Sequence, residues 1–333
     1  MKALVTGGSG FLGSAICRAL RAQGAEVVTL QRSPAPELAA LGVKVHQGDI
    51  GDAVTVAAAA RRCDLIFHVA AKAGHWGSYA DYHRINVLGT RNIMAACQQH
   101  GIGKLVYTST PSVVHEGGDL EGVDERVAYA RRFLAHYPQT KAIAEREVIA
   151  ANGPALATCA LRPHLIWGPG DNHLLPRIIE RARAGRLRFV GKPGKRIDAT
   201  YIDNAAQAHL QAAAALEPDS ATAGNAYFIS NGEPIATEDM INRMLECAGL
   251  APVHRRIPFG LAYGLGFGLE TVYRLLRLPG EPIMTRFLAD QLATAHWYDI
   301  SAAQRDFGYR PRVSMAEGFA ALRRSLTGSQ PPT

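Results

Sequence analysis

The chain has 333 residues, more than one hydrophobic core usually serves, and 47% of them are hydrophobic, so we expect a large domain with a smaller one appended. The formal net charge is +7, but the basic residues are scattered and no aromatic ladder interleaves them, which argues against nucleic-acid binding. The five cysteines are odd in number, widely spaced and without a Cys-x-x-Cys pair, so they indicate neither a disulfide framework nor a metal site.

A glycine-rich segment follows the first predicted strand, residues 2–6, and runs into a predicted helix. The first glycine allows a tight turn, the second a close approach of a pyrophosphate, and the third the packing of helix on strand. The pattern predicts a dinucleotide site. Its candidate cofactor-binding residues are Gly7, Gly10, Phe11, Leu12 and Gly13.

The end of the second predicted strand, residues 26–30, indicates which cofactor is bound. An NAD site typically places Asp or Glu there to accept hydrogen bonds from the ribose, about 20 residues after the glycines. This chain has Gln31 and Arg32 instead, and a guanidinium can bind a 2′-phosphate through two hydrogen bonds. We therefore predict NADP(H). The alternative is that Arg32 is a solvated surface arginine.

Short β-branched runs alternate with helical patterns through the first half of the chain. The further predicted strands are residues 43–47, 65–69, 104–109 and 158–161. Such alternation predicts an α/β fold with a doubly wound parallel sheet, in which ligands lie beyond the carboxyl ends of the strands. We expect an NADP(H)-binding Rossmann domain over 1–165, its sheet completed by part of 195–232, and a smaller substrate-binding domain over 166–333.

Tyr137 and Lys141 are four residues apart at the start of a predicted helix and therefore share one of its faces. A phenol with a pKa near 10 is a poor acid and base at neutral pH unless a neighbouring ammonium stabilises its phenolate. The pair therefore indicates acid-base chemistry on a carbonyl group. A hydroxyl from the end of the fifth strand would hydrogen-bond the substrate oxygen.

Four stretches resemble the motifs of the extended short-chain dehydrogenase/reductase family, and they are residues 6–13, 86–90, 137–141 and 161–170. By this resemblance Tyr137 is the proton donor and acceptor, while Lys141 lowers its pKa and holds the nicotinamide ribose. Thr110 stands where the family usually has Ser, with Ser109 the second choice for that role. Asn86 matches an asparagine that holds a proton-relay water; the other interpretation is a polar residue that bends a helix.

The same resemblance assigns the walls of the cofactor site. They are Asp49, Ile50, Ala70 and Ala71 along the adenine and ribose, and Pro163, Leu165 and Ile166 towards the nicotinamide; Thr108 is a further candidate cofactor-binding residue. The resemblance also implies a homodimer with a two-helix interface.

Longer stretches resemble the 3β-hydroxysteroid dehydrogenase branch and, within it, bacterial reductases of olefin biosynthesis that act on 2-alkyl-3-oxoalkanoic acids. They are residues 71–79, 107–113, 160–171, 200–204, 227–234 and 296–298. This resemblance implies a long-chain beta-keto acid substrate, reduced by NADPH to a 2-alkyl-3-hydroxyalkanoic acid. Lys72, His75, His164 and Arg196 are candidates for binding the carboxylate, and the sequence does not choose among them.

Three other functions stay open. A 3β-hydroxysteroid or sterol-type dehydrogenase belongs to the same branch. A nucleotide-sugar epimerase uses the same glycine turn and Tyr-Lys pair but usually holds NAD, which Gln31 and Arg32 disfavour. A non-catalytic redox sensor on this fold commonly lacks the catalytic Tyr or Lys, both of which this chain keeps.

Residues 257–278 are strongly apolar, but their uncharged part is shorter than the roughly 20 residues that a membrane span needs. The segment is a candidate lid for an alkyl chain, a peripheral membrane contact, a docking surface for pathway enzymes, or an ordinary buried helix. Because the first strand begins at residue 2 and no charged leader precedes it, we expect a cytoplasmic location.

Overall fold

The computed structural model describes residues 1–328, and parallel strands form its centre. The strands are β1 (Lys2–Thr6), β2 (Glu26–Gln31), β3 (Lys44–Gln47), β4 (Leu65–His68), β5 (Lys104–Thr108), β6 (Leu120–Val123), β7 (Ala157–Pro163), β8 (Ile166–Trp167), β9 (Phe189–Val190), β10 (Arg196–Ile197), β11 (Thr200–Tyr201), β12 (Asn225–Ile229), β13 (Ile235–Ala236), β14 (Arg256–Ile257) and β15 (His296–Tyr298). The predicted strands are therefore found to within about two residues at each end.

The helices lie between these strands and follow the last of them. They are α1 (Phe11–Ala22), α2 (Pro36–Ala40), α3 (Ala53–Ala60), α4 (Tyr79–His83), α5 (Gly89–His100), α6 (His136–Ala150), α7 (Leu174–Arg183), α8 (Ile202–Ala215), α9 (Thr237–Cys247), α10 (Phe259–Leu275), α11 (Arg286–Ala293), α12 (Ser301–Phe307) and α13 (Met315–Thr327). A π-helical turn, Arg84–Leu88, joins α4 to α5, and a 3₁₀ helix, Pro111–Val114, follows β5.

The central sheet has seven parallel strands in the order β12-β7-β5-β4-β1-β2-β3. The direction of winding reverses at β1, which lies between β2 and β4, and the crevice at such a switch point is where α/β sheets bind ligands. Helices α1 and α8 pack on one face of the sheet, and α3 and α5 on the other. The predicted doubly wound parallel sheet is confirmed; the division of the chain at residue 165 stays a prediction.

Later elements form smaller units beside the carboxyl ends of these strands. Strands β13, β10, β15 and β6 make a four-stranded sheet. Helices α10 and α11 pack on each other around a separate small core that contains Ala262 and Ala289. The four-stranded sheet thus combines segments that are far apart in sequence, because β6 precedes α6 and the other three strands follow it.

Helix α10 forms over most of the apolar segment although four glycines weaken it intrinsically. One of them, Gly266, is where α11 comes closest, since a Cβ there would lie 2.6 Å from the carbonyl carbon of Thr285. Gly266 shares its buried stripe with Ala262 and Glu270, while Leu261, Leu265 and other apolar side chains of the helix are exposed. No helix within residues 1–328 is long and apolar enough to cross a membrane.

Candidate active site

The glycine turn after β1 has the geometry that a pyrophosphate requires. Gly7 has φ +72°, a conformation that favours glycine, and its N–H donates to the Leu30 carbonyl at 2.8 Å. A Cβ on Gly13 would lie 2.2 Å from the Gly7 carbonyl oxygen, so only glycine lets α1 pack against the turn. Within residues 1–328 no side chain caps the start of α1 at Gly10, which leaves backbone N–H groups of its first turn for an anion. These residues therefore fit a dinucleotide.

A buried network behind the turn supports the next wall of the site. The Thr6 hydroxyl accepts from the backbone N–H of Ala70 at 3.0 Å and contacts His68 Nδ1 at 2.8 Å. His68 Nε2 contacts the Thr90 hydroxyl, which donates to the Asn86 carbonyl at 2.7 Å. Burial lowers the pKa of His68 to about 3, so its ring stays neutral. The predicted wall residue Ala70 thus lies against Gly7, whereas the neighbouring Ala71 is exposed.

At the end of β2, Gln31 and Arg32 have different environments. The Gln31 amide is buried, accepts from the Thr29 hydroxyl at 3.0 Å and donates to the Ser33 carbonyl at 3.1 Å. The Arg32 side chain is exposed, and in the described part of the chain it makes no ion pair within 4 Å. Gln31 therefore fixes the turn, and Arg32 is the group left to meet a ligand.

Asp49 and Ile50, predicted to line the adenine, follow β3 beside Arg32. Burial would raise the pKa of Asp49, but hydrogen bonds from the Gly51 N–H and Arg84 and the charge of Arg32 outweigh it and lower the pKa. The Ile50 side chain is buried against Gly89 and its carbonyl accepts from the Asn92 side chain at 2.9 Å, so its backbone N–H is the part that remains for a cofactor.

Helix α6 begins at His136 and carries Tyr137 and Lys141 on one face. Burial raises the pKa of Tyr137, and a hydrogen bond with Thr110 opposes that rise. The Lys141 ammonium donates to the Thr108 carbonyl at 2.6 Å and lies 4.0 Å from the centre of the Tyr107 ring. Burial lowers the pKa of Lys141 to about 7, although the charge of Glu145 opposes this. The fold thus gathers the predicted catalytic residues of α6 and of the end of β5.

Thr110 and Ser109 differ in what their hydroxyl groups meet. Thr110 caps the 3₁₀ helix by accepting from the Ser112 N–H at 3.3 Å, and it contacts the Tyr137 phenol. The Ser109 hydroxyl is buried and finds no hydrogen-bond partner in residues 1–328. Of the two, Thr110 therefore has the better position for the predicted role beside Tyr137.

Asn86 lies in the π-helical turn, and such turns occur frequently at functional sites. Its Oδ1 accepts from the Lys72 N–H at 2.8 Å, and its Nδ2 donates to the Lys72 carbonyl at 3.0 Å and to the Thr140 hydroxyl at 3.0 Å. The side chain thus holds the loop after β4 against α6. The predicted proton-relay role stays a prediction.

The segment predicted to face the nicotinamide runs from the end of β7 into β8. Pro163 ends β7 and Ile166 begins β8. Between them Leu165 has φ +40°, a conformation that costs a branched residue free energy and that clusters at ligand sites. The turn is held by the Thr200 hydroxyl, which donates to the His164 carbonyl at 2.7 Å.

Comparison with known proteins agrees with this geometry. Residues 4–259 match the model of the 3-beta hydroxysteroid dehydrogenase/isomerase family. The chain is 54% identical to a 2-alkyl-3-oxoalkanoate reductase of Stenotrophomonas maltophilia over 98% of its own length and 99% of the relative's. It is 51% identical to one of Shewanella oneidensis over 97% and 86% of the two chains.

This chain belongs to the 3-beta hydroxysteroid dehydrogenase/isomerase family. Its fold is also that of the UDP-glucose 4-epimerase of Thermus thermophilus, solved with NAD, at 26% identity and a TM-score of 0.75 over 99% of this chain and 100% of that one. The family predicted from the sequence is therefore confirmed, and so is the prediction that the protein is an oxidoreductase. The solved neighbour supports a nicotinamide cofactor.

One buried ion pair of this family member escaped the sequence analysis. Arg162 on β7 and Glu145 on α6 are both buried and approach to 2.6 Å. The Tyr129 hydroxyl donates to Glu145 at 2.6 Å, and the Arg162 guanidinium lies 5.1 Å from the Phe228 ring centre. Arg162 lies in the family-like stretch 161–170, and Glu145 lies one helical turn after Lys141. No sequence pattern, however, indicates that these two side chains form an ion pair. The ion pair joins the helix of the catalytic residues to the central sheet.

The candidate carboxylate-binding residues are not brought together. His164 Nδ1 contacts Asp198 at 2.7 Å, and Arg196 donates to the Pro234 carbonyl at 2.6 Å. Lys72 is held by Asn86, with its ammonium 5.3 Å from the Tyr82 ring centre. His75 Nε2 lies 3.7 Å from Glu281, and its buried Nδ1 has no hydrogen-bond partner among the described residues. Of the four, Lys72 and His75 are the ones that come directly after the predicted cofactor-wall residues Ala70 and Ala71 in the sequence.

Proposed function

We propose that this protein is an NADPH-dependent reductase that converts long-chain 2-alkyl-3-oxoalkanoic acids to 2-alkyl-3-hydroxyalkanoic acids. The observation that carries the proposal is the identity of 54% to a 2-alkyl-3-oxoalkanoate reductase over nearly the whole of both chains. The second relative bears the same name. The site supports this reaction, because Tyr137 and Lys141 share one face of α6 and Thr110 contacts the Tyr137 phenol.

The assigned proton chemistry starts from Tyr137. Because burial raises its pKa, the phenol holds its proton at neutral pH and is ready to donate it to a ketone oxygen. Thr110 contacts the phenol and orients it, and Lys141 fixes the strand end through the Thr108 carbonyl. When bound, the reduced nicotinamide supplies the hydride.

We assign NADP(H) rather than NAD(H) as the coenzyme. The support is local: Arg32 is exposed and free of an ion-pair partner within the described residues, and positions 31–36 hold no carboxylate. A ribose 2′-phosphate is the anion that a guanidinium at this place binds.

We assign the substrate carboxylate to the loop after β4, with Lys72 and His75 as its binding residues. Both follow the cofactor wall directly, and His75 keeps a buried nitrogen without a partner in residues 1–328. His164 and Arg196 are held by hydrogen bonds of 2.7 Å and 2.6 Å, whereas Asp81 and Glu281 approach Lys72 and His75 only to 3.9 Å and 3.7 Å. The rings of Trp76, in the same loop, and Tyr273 of α10 are nearly perpendicular, with their centres 6.0 Å apart. A polar head group at this loop would thus place its alkyl arms beside the apolar helix.

The matched family also supports a second candidate, a 3β-hydroxysteroid or sterol-type dehydrogenase, because the family model bears that description. A homodimer, a cytoplasmic location and contact of residues 257–278 with a membrane surface or with pathway enzymes remain proposals. The exposed side chains of α10 support such a contact, since Leu261 and Leu275 are 63% and 76% exposed.

The deciding experiment follows NADPH absorbance with 2-alkyl-3-oxo acids, 3-ketosteroids and UDP-sugars in parallel. We expect turnover of the oxo acids alone, with kcat/KM rising with alkyl length because each buried methylene contributes about 0.8 kcal/mol. Turnover of steroids with no reaction of the oxo acids would contradict the proposal and establish the second candidate.

A further inference from the structure

One glutamate lies against the loop to which the substrate's carboxylate is assigned. Glu281 belongs to the segment 276–285, which connects α10 to α11. Its Oε2 lies 3.7 Å from His75 Nε2 and 3.7 Å from a guanidinium nitrogen of Arg177 on α7. One carboxylate oxygen thus faces nitrogen atoms from two separate elements, and the chemistry assigned above uses neither Glu281 nor Arg177.

The Glu281 carboxylate is held loosely. Both of its contacts are longer than a hydrogen bond, and its side chain is 42% exposed. Burial lowers the pKa of His75, although the charge of Glu281 opposes this, so the ring is neutral at pH 7 and offers an N–H rather than a charge. The guanidinium of Arg177 carries the positive charge of the contact. Another carboxylate could therefore take the place of Glu281 at little cost in free energy.

Tyr82 lies close both to this carboxylate and to the catalytic phenol. A Cβ on Gly74 would lie 3.0 Å from the Tyr82 hydroxyl oxygen and 3.5 Å from Glu281 Oε1, so these two groups flank the same glycine. Burial first, and then the charges of Glu281 and Tyr137, raise the pKa of Tyr82 to about 12. The ring centre of Tyr82 is also 6.4 Å from that of His136, the residue before Tyr137 on α6. Glu281 is therefore a neighbour of the active site.

The end of α10 brings apolar surface to the same place. Trp76 follows His75, and its ring is the one that packs on Tyr273. The Arg274 guanidinium lies 5.3 Å from the centre of the Trp76 ring. A replaceable carboxylate beside aromatic and aliphatic side chains matches the chemistry of an acid that carries long alkyl arms.

We propose that Glu281 occupies the position of the substrate's carboxylate while no substrate is bound, and that Arg177 binds the substrate's carboxylate once it has displaced Glu281. The inference rests on the proposed function, since it needs an acid as the substrate. The exchange replaces one carboxylate with another, so His75 and Arg177 keep an acceptor throughout. Only molecules in which Glu281 has left the position can bind the acid there, and the apparent affinity falls in proportion to their fraction.

The test measures KM for a 2-alkyl-3-hydroxy acid and for its methyl ester, oxidised with NADP⁺ by the wild type, Glu281→Gln, Arg177→Gln and the double variant. Glu281→Gln removes the charge and keeps the shape, so the KM for the acid should fall roughly two- to fivefold, as expected for the loss of an exposed ion pair. Arg177→Gln should raise it at least about fivefold. The ratio of the ester KM to the acid KM should therefore rise in the first variant and fall in the second.

The double variant separates displacement from simple repulsion. If Glu281 acts by occupying Arg177, its removal should have little effect once Arg177 is gone, and the double variant should resemble Arg177→Gln. Glu180→Gln and Arg183→Gln, both exposed on α7, are the matched controls and should keep the wild-type ratio. Glu281→Ala should lower the acid KM at least as much as Glu281→Gln, because alanine cannot accept a hydrogen bond from His75.

An acid KM that is unchanged or higher in Glu281→Gln would overturn the displacement. Additive effects in the double variant would do the same, since they would mean that Glu281 only repels the acid through space. An unchanged ratio in Arg177→Gln would overturn the binding role of Arg177. Failure of the proposed function is distinct, because the wild type would then oxidise neither the acid nor its ester, and this inference would fall with it.

Discussion

The Asn86 side chain holds both backbone polar groups of Lys72, accepting from its N–H at 2.8 Å and donating to its carbonyl at 3.0 Å. A carboxamide is the one kind of side chain of this size that can do both, since it carries an acceptor and two donors. The second donor hydrogen serves the Thr140 hydroxyl on α6. One residue therefore sets the loop after β4 relative to the helix of Tyr137 and Lys141.

Replacing Asn86 with Ala should lower kcat/KM by roughly 10- to 100-fold, because misplacing a site loop by about 1 Å costs that much. Asn86→Asp keeps the acceptor but loses both donors, so we expect it to lower kcat/KM nearly as much. Steady-state kinetics with saturating NADPH measure the effect. Gln98→Ala, an exposed amide on α5, is the control. Wild-type kinetics in Asn86→Ala would refute the positioning role.

Arg32 should determine the preference for NADPH. Arg32→Ala removes a charge-assisted contact worth about 1.5–3 kcal/mol, so the Kd for NADPH should rise by roughly 10- to 100-fold. The Kd for NADH should change far less, and titration of the coenzyme fluorescence measures both. The exposed Arg132 offers a matched control, Arg132→Ala, which tests for a general effect of the net charge. Equal weakening of both coenzymes would mean that Arg32 does not bind the 2′-phosphate.

The raised pKa of Tyr137 predicts opposite pH profiles for the two directions. Oxidation of the hydroxy acid needs the phenolate, so its kcat/KM should rise about tenfold per pH unit below the pKa, while reduction should fall only at high pH. Because the Thr110 hydrogen bond lowers that pKa, Thr110→Ala should move the oxidation limb to higher pH and Thr110→Ser should restore it. Tyr137→Phe should abolish turnover while NADPH still binds. An oxidation rate independent of pH between 6 and 9 would contradict the assignment.

The features of this site that could be predicted from the sequence are those that lie within a single secondary-structure element. The glycine turn and the Tyr137–Lys141 spacing each lie within one element, so their geometry follows from backbone conformation alone. The partner of Glu145 could not be read in this way, because Arg162 meets it only after α6 packs on the sheet. The same is true of His75 and Glu281, which meet only when the segment after α10 lies against the loop after β4. For Asn86 the sequence left two roles open, and the structure adds a third, the hold on Lys72.

Lys141 should destabilise the protein in the absence of coenzyme. Its pKa is about 7 in the folded chain and 10.5 in its ordinary state, so between these values the unfolded chain binds more protons and the stability rises with pH. Lys141→Met removes this term. The variant should therefore melt above the wild type at pH 6, and the difference in Tm should shrink as the pH rises to 9. A difference that does not change with pH would contradict the buried ammonium.

Removing one partner of the buried Glu145–Arg162 pair should be a costly single change on α6. Glu145→Gln leaves the Arg162 guanidinium buried without its carboxylate, and breaking a buried pair in this way costs about 3–5 kcal/mol. On the same helix, Glu147 pairs with the half-exposed Arg91 at 2.6 Å. Glu147→Gln removes this surface ion pair and should cost less than about 1 kcal/mol. Urea unfolding of both variants measures the difference. The double variant Glu145→Met with Arg162→Met should recover much of the loss, because it leaves no unpaired charge. If Glu145→Gln were no worse than Glu147→Gln, the pair would not be what fixes α6 on the sheet.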